Sequence, residues 1–207
     1  MDIRSDQQQT PDAALWDERY RSRVAQWDPE PNPHLARVAA GLTPGTALDV
    51  GCGEGSDAVW LANHGWHVTA VDISQVALDR GKAHDPTGRV TWTQADLGTW
   101  KPPAGTFDLV SSQFVHFPPE GRQAFFEQLA IAVKPGGTLL IVAHHPTDAE
   151  TTVRRPPREV LFAAEAVELD PRAWDVTERA RSPRTMKDPD GRPVTVHDAV
   201  LVATRRA

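Results

Sequence analysis

The stretch Ala47-Leu48-Asp49-Val50-Gly51-Cys52-Gly53-Glu54-Gly55 decides how this chain is read. It is a short apolar run that passes straight into a loop with glycine at every second position. The helix-like Ser56-Asp57-Ala58-Val59-Trp60-Leu61-Ala62 follows. Glycine lacks a Cβ, so a ligand can lie against the main chain and the chain can turn at φ > 0. Ligands of open α/β sheets bind in the crevice beyond the carboxyl ends of the strands. A nucleotide-sized ligand is therefore expected at this loop, in preference to a glycine-rich turn with no ligand.

The spacing chooses between two ligand types. A dinucleotide fold uses G-x-G-x-x-G, with a pyrophosphate facing the helix N-terminus. Here the third dinucleotide position falls on Ser56, and Glu54 and Asp57 flank the helix start. Acids there suit the helix dipole but repel a pyrophosphate. A ligand with a positive centre and no phosphate fits better. S-adenosylmethionine, which carries a sulfonium and an ammonium, is such a ligand.

Outward from this loop, strands and helices alternate. Expected strands are Thr46 to Val50, His67 to Asp72, Arg89 to Thr93, Thr106 to Ser112 and Thr138 to Ala143. The last is a continuous apolar run, as in a parallel strand covered on both faces. Expected helices run from Gly55 to His64, from Ser74 to about Ala83, and from Pro118-Pro119-Glu120 to Pro135. Proline is tolerated in a first helical turn. Such βα repetition predicts a parallel sheet with helices on both faces. Upstream, Asp12 to Trp27 has a helical spacing of apolar residues, Asp28 to Pro33 breaks it, and His34 to Ala40 is a second helix. Met1 to about Pro11 is polar and expected to be disordered. Downstream, Glu159 to Leu169 is expected as a helix. Trp174 to Arg181 and Thr195 to Thr204 are expected as an antiparallel hairpin, with Asp190-Gly191 as a turn signal.

Composition narrows the function classes. The chain has 207 residues, 40% hydrophobic and 24% charged, with a formal net charge of −6, which describes a globular chain of ordinary domain size. A negative balance disfavours nucleic acid as a partner, because that affinity rests on phosphate neutralisation. No apolar run reaches membrane-span length and no secretory h-region is present, so a cytoplasmic protein is expected. The lone Cys52 excludes an internal disulfide. Arg154, Arg155, Arg158, Arg179, Arg181 and Arg184 crowd the C-terminal quarter. They are read as a solvated surface or as a rim that attracts an anionic small substrate.

The ordered series LDVGCGEG, VTAVDIS, TQADL, FDLVSSQFVHFPPE and LAIAVKPGGTLLIVAHHP resembles the class I, Rossmann-like S-adenosylmethionine-dependent methyltransferases. The leading Trp16, Tyr20 and Trp27 with EPNPHL are similar to the small-molecule branch that includes thiopurine and tellurite methyltransferase-like proteins. The resemblance implies a doubly wound seven-stranded α/β sheet of order 3-2-1-4-5-7-6, mostly parallel with an antiparallel last strand. It implies one domain over 12–207 with an N-terminal helical lid over 12–40. By the same resemblance, Gly51, Cys52, Gly53 and Gly55 line the methionine and ribose, and Asp49 anchors the loop and the methionyl ammonium. Asp72 accepts from both ribose hydroxyls, and a carboxylate, which only accepts, suits that task. Ile73 and Leu97 pack on the adenine, Asp96 binds its amino group, and Gln113 lies near the methionine.

Methyl transfer is an in-line displacement for which the cofactor brings the activation and the protein supplies orientation and electrostatics. A base is needed only when the acceptor carries a proton. His116 follows the fourth strand and His144 and His145 end the fifth, the ends that face the crevice. Each is a candidate base or substrate hydrogen-bonding group. No metal is expected. Trp16, Tyr20 and Trp27 are candidate lid residues, and Arg154 and Arg155 candidate substrate contacts. Tellurite and arsenite are disfavoured, because soft metalloids recruit thiolates and Cys52 lies in the cofactor loop. The leading expectation is methyl transfer to a small organic O, N or S nucleophile by a monomer or homodimer, without membrane or nucleic-acid partners. The alternatives are a cofactor-binding protein without turnover and an NAD(P)-dependent oxidoreductase.

Overall fold

The computed structural model describes residues 12–23, 27–115, 117–148, 158–188 and 190–207. Seven strands form one sheet: β1 (Thr46–Val50), β2 (His67–Asp72), β3 (Val90–Gln94), β4 (Phe107–Gln113), β5 (Val133–His144), β6 (Trp174–Lys187) and β7 (Pro193–Arg205). Their order is β3-β2-β1-β4-β5-β7-β6. Neighbours from β3 across to β5 are parallel. Strand β7 runs antiparallel to both β5 and β6. Order and directions agree with the sequence-based expectation.

Among the described residues five α-helices flank the sheet: α1 (Ala13–Arg21), α2 (Pro33–Ala39), α3 (Ser56–Asn63), α4 (Gln75–Lys82) and α5 (Pro119–Ala132). Successive strand residues face opposite sides, so each central strand feeds two cores. Leu48, Val110, Leu139 and Ile141 join Phe125, Phe126 and Leu129 of α5. Ala47, Leu109, Leu140 and Val200 join Leu35 of α2 and Ala58 and Leu61 of α3. Both sides of β1, β4 and β5 are therefore covered, which is why Leu139 to Ala143 of β5 reads as an unbroken apolar run. Local chemistry sets the helix starts. Ser74 accepts from the Ala77 N–H at 3.2 Å to cap α4. Asn32 accepts from the His34 N–H at 2.9 Å, with Pro33 in the first turn of α2.

Pairing of β5 with β7 ends at His144↔Asp198, whereas the β6–β7 pairing continues to Lys187↔Pro193. The hairpin tip therefore rises above the carboxyl ends of the parallel strands. Asp198, with no exposed surface, clamps its base. His34 Nε2 lies 3.2 Å from its carboxylate, and the Arg184 guanidinium donates to both oxygens at 2.8 and 3.1 Å. Burial raises the Asp198 carboxyl, but hydrogen bonds from His34 and Arg184 outweigh it and hold it below its ordinary value.

Several expectations are corrected. The segment 159–169 is not a helix but an irregular run with short 3-10 turns at Arg158–Val160 and Ala164–Ala166. Leu161, Ala164 and Val167 are buried at intervals of three, which 3-10 turns satisfy as well as an α-helix does. The first helix stops at Arg21 rather than Trp27, where the Ser22 N–H bonds back to Glu18 O at 2.9 Å. The opening of α5 is kinked, with Gly121 at φ +95°, so regular helix begins only after it. The hairpin strands extend well beyond the expected bounds. The expected disordered N-terminus lies outside the described residues, as do His116, Arg154 and Arg155.

Candidate active site

The glycine loop leaves β1 at Val50 and enters α3 at Ser56. Its three glycines adopt φ of +71°, +55° and +78°, the left-handed region where L side chains are strained. The Gly53 N–H donates to Asp72 Oδ2 at 2.8 Å, and the Ser74 N–H donates to Asp72 Oδ1 at 2.9 Å. Asp72, at the end of β2, thus holds the glycine loop and the start of α4 together. Each of its oxygens keeps a further lone pair for a ligand hydroxyl.

A cavity of about 250 Å³ opens beside this loop. Gly51, Asp72, Ile73, Asp96, Leu97 and Gln113 form one part of its lining. Trp16, Tyr20, Phe114, Val115 and Phe117 form the other. Ribose, adenine and methionine positions expected from the sequence therefore meet at one hollow. Asp96 also accepts from the Gly98 N–H at 2.8 Å, which shapes the loop after β3. Asp49, Cys52, Gly53 and Gly55 are not part of this lining. They lie in the strand end and loop that support it. Burial, then Asp49 and Asp72, push the Cys52 thiol well up, which keeps it protonated and unreactive.

Two of the three expected lid aromatics reach the cavity. Helix α1 contributes Trp16 and Tyr20, whereas Trp27 stacks on His84 at 4.1 Å and is no part of this wall. The helix buries none of its own residues. A polar anchor fixes it: Asp17 accepts from Ser74 Oγ at 2.6 Å and from the Val76 N–H at 3.2 Å. The Ser74 hydroxyl is the main cause holding the Asp17 carboxyl below its ordinary value. Asp17 thereby ties α1 to the turn that follows Asp72 and Ile73. Asp17→Ala is expected to weaken S-adenosylhomocysteine binding about tenfold, the worth of one to two hydrogen bonds, with the melting temperature unchanged. Calorimetric titration and thermal unfolding on one preparation check both.

The histidines take other places. Among the described residues, the cavity lining holds no histidine, lysine or arginine. His144 stacks on Phe114 at 4.5 Å, behind the wall, and the Arg184 guanidinium lies 5.5 Å from the same ring. His145 Nδ1 accepts from the Thr147 N–H at 3.2 Å and lies 3.0 Å from Thr147 Oγ1. That geometry occupies the lone pair a general base would use. Burial and Arg181 hold the imidazole below its usual value. Sequence reasoning missed His197, whose Nδ1 lies 3.0 Å from Asp148 Oδ1. It also missed Asp57 as a partner of Gln113, whose Nε2 donates to Asp57 Oδ2. Both pairs join residues distant in the chain, and no local spacing signals them.

The donor set can be tested against the expected cofactor. Asp49, Asp57 and Asp72 cluster at the loop, and among the described residues no cationic side chain is paired with them. Burial raises all three carboxyls, and the charges of Asp57 and Asp72 raise Asp49 further. Asp49 Oδ2 and Gln113 Oε1 are buried acceptors without a partner. Orphaned acceptors in an acidic setting call for a ligand with cationic N–H groups. A sulfonium with an amino-acid ammonium meets that need, and a pyrophosphate does not. Among the described residues no group of three or more His, Cys, Asp or Glu side chains is arranged to hold a metal ion. No described helix is long and apolar enough to cross a membrane.

Comparison with known proteins agrees with this geometry. A family profile described as a methyltransferase domain matches residues 47–137. Probable thiol methyltransferase 2 of Arabidopsis thaliana is 32% identical over 154 residues, covering 70% of this chain and 66% of that protein. Thiocyanate methyltransferase 1 of Arabidopsis thaliana is 30% identical over 181 residues, covering 76% of this chain and 77% of that protein. A solved structure from work on converting a disulfide bond into a thioacetal group during echinomycin biosynthesis superposes with a TM-score of 0.71. It is 22% identical, covers 94% of this chain and 92% of that one, and at that identity shows the fold alone. With the strand order, the glycine loop and an acidic crevice suited to a phosphate-free cation, these matches settle the family: the chain belongs to the class I, Rossmann-like S-adenosylmethionine-dependent methyltransferases.

Proposed function

We propose that the protein transfers the methyl group of S-adenosylmethionine to a small organic acceptor, with a sulfur nucleophile as the first choice. The observation that carries this reading is the cavity itself. Its lining combines Asp72 and Asp96, the carboxylates assigned to ribose and adenine, with four aromatic side chains, and among its described residues there is no histidine or lysine to serve as a base. A thiolate needs no base, because it arrives without its proton. The thiol and thiocyanate named for the two plant relatives support the same choice.

When bound, the cofactor supplies an activated methyl on a sulfonium with a neutral thioether leaving group. The chain's part is to bind, orient and exclude water. Asp72 accepts from the ribose hydroxyls, Ile73 and Leu97 wall the adenine, and Asp96 accepts from its amino group. The backbone from Gly51 to Gly55 lies along the methionine, with Asp49 and Gln113 at its ammonium. Trp16 and Tyr20 cover the site, and their ring faces attract a sulfonium. Phe114 and Phe117 shape the acceptor side. Alignment of this kind can supply roughly 7–11 kcal/mol of barrier lowering.

The test is S-adenosylhomocysteine release with a panel of thiols, phenols, amines and heterocycles. Thiols are expected to react fastest. Turnover with phenols or amines alone would overturn the acceptor choice, and the absence of release with every acceptor of a broad panel would favour a binding protein. On the same reading His145→Ala keeps turnover of a thiol within about threefold. A loss of tenfold or more would return His145 to the mechanism as a base.

A further inference from the structure

Asp57 holds Gln113, a residue of the cavity lining. Gln113 Nε2 donates to Asp57 Oδ2 and lies 3.2 Å from Ser111 Oγ. Both amide hydrogens of Gln113 are thus directed at the protein. Its Oε1, buried and without a partner, is left on a residue that lines the cavity. Asp49 Oδ2, on a side chain 3% exposed, is the second unpartnered acceptor. Asp49 is in register with Ser111 across β1 and β4, so Asp49, Ser111 and Gln113 share one face of the sheet. The other Asp57 oxygen accepts from the Asn32 N–H at 2.7 Å.

A carboxylate only accepts, so ionised Asp57 fixes the Gln113 amide with nitrogen toward itself and oxygen toward the ligand. A protonated Asp57 can donate instead. The amide then turns over, accepts from Asp57 and presents N–H groups to the cavity. Those groups repel an ammonium.

We propose that Asp57 is a positioning residue which, through the orientation of Gln113, makes the site select a ligand carrying an ammonium and ties cofactor binding to loss of a proton from the Asp49–Asp57 pair. The inference rests on the cofactor reading above and adds to it. The groups facing Asp57 fit the linkage. Asp49 on β1 is acidic, the Cys52 thiol is neutral, and Asn32 and Gln113 are uncharged. Burial pushes the Asp57 carboxyl up to about 6, with the Asn32 N–H pulling the other way. A bound ammonium lowers that value, so protons leave on binding, and affinity falls as pH drops below about 6.

The experiment titrates the full chain with S-adenosylhomocysteine and with 5′-methylthioadenosine, which lacks the amino-acid tail, between pH 5 and pH 7. S-adenosylhomocysteine is expected to bind about tenfold more weakly at pH 5 than at pH 7, the span of one linked proton with a pKa near 6. 5′-Methylthioadenosine is expected to change less than twofold. Asp57→Asn is expected to weaken S-adenosylhomocysteine binding at pH 7 and to flatten its pH profile, whereas Asp57→Glu keeps the slope. A flat wild-type profile, an equal slope for 5′-methylthioadenosine, or an unchanged slope in Asp57→Asn overturns the inference and leaves the cofactor reading intact. Failure of S-adenosylhomocysteine to bind at any pH overturns both. The two-ligand comparison on the wild-type chain decides the matter even if the variants fold poorly.

Discussion

Asp72→Ala is expected to weaken S-adenosylhomocysteine binding by at least about 100-fold. Two ribose hydroxyls donating to one carboxylate make two charge-assisted bonds, worth roughly 1.5–3 kcal/mol each. Every 1.4 kcal/mol is about tenfold in affinity. The substitution also frees the Gly53 and Ser74 N–H groups that the carboxylate holds at 2.8 and 2.9 Å, so the loop loses its shape along with its acceptor. Asp72→Asn keeps one acceptor oxygen and is expected to lose about tenfold. It is also expected to lower stability by about 1–3 kcal/mol, because the amide NH2 leaves one of the Gly53 and Ser74 N–H groups without an acceptor. Titration calorimetry and thermal unfolding separate the two effects. Affinity within threefold of wild type in Asp72→Ala would remove Asp72 from the ribose site.

Gly55→Ala carries the largest expected effect on folding. The residue sits at φ +78° as the N-cap of α3, and an added Cβ would lie 2.3 Å from Trp92 Cη2. The left-handed backbone costs roughly 1–2 kcal/mol for an L side chain. Overpacking against the Trp92 ring adds roughly 1–3 kcal/mol. A loss of about 2–5 kcal/mol is therefore expected in denaturant unfolding. Gly88→Ala is the internal control, with φ +63° and nothing within 4 Å of the added carbon. It should show the backbone cost alone. Equal losses at the two positions would contradict the packing of Trp92 beneath the glycine loop.

The parallel part of the sheet was legible because its strands are covered on both faces and their helices start at chemical signals. Ser74, Asn32 and Pro33 mark those starts in the sequence itself. The segment 159–169 was not legible. Leu161, Ala164 and Val167 are buried by what they pack against, and a spacing of three does not separate a 3-10 turn from an α-helix. Asp72 and Gln113 were expected at strand ends, and both line one cavity there. Of the three aromatics expected as a lid, Trp16 and Tyr20 are one helical turn apart and share the cavity, while Trp27 lies beyond the helix end and stacks on His84. The pairs Asp57–Gln113, Asp148–His197 and Asp198–Arg184 were invisible. Each forms only when the sheet brings separate elements into register, and single residue types carry no mark of a partner in another element.

The account's central claim is that the acidic glycine loop takes a phosphate-free adenosyl cation in preference to a dinucleotide. Side-by-side calorimetric titration of the wild-type chain with S-adenosylmethionine and NADH tests it most directly. One site that binds S-adenosylmethionine, with no heat from NADH, is the predicted result. Clear NADH binding with none for S-adenosylmethionine would contradict it.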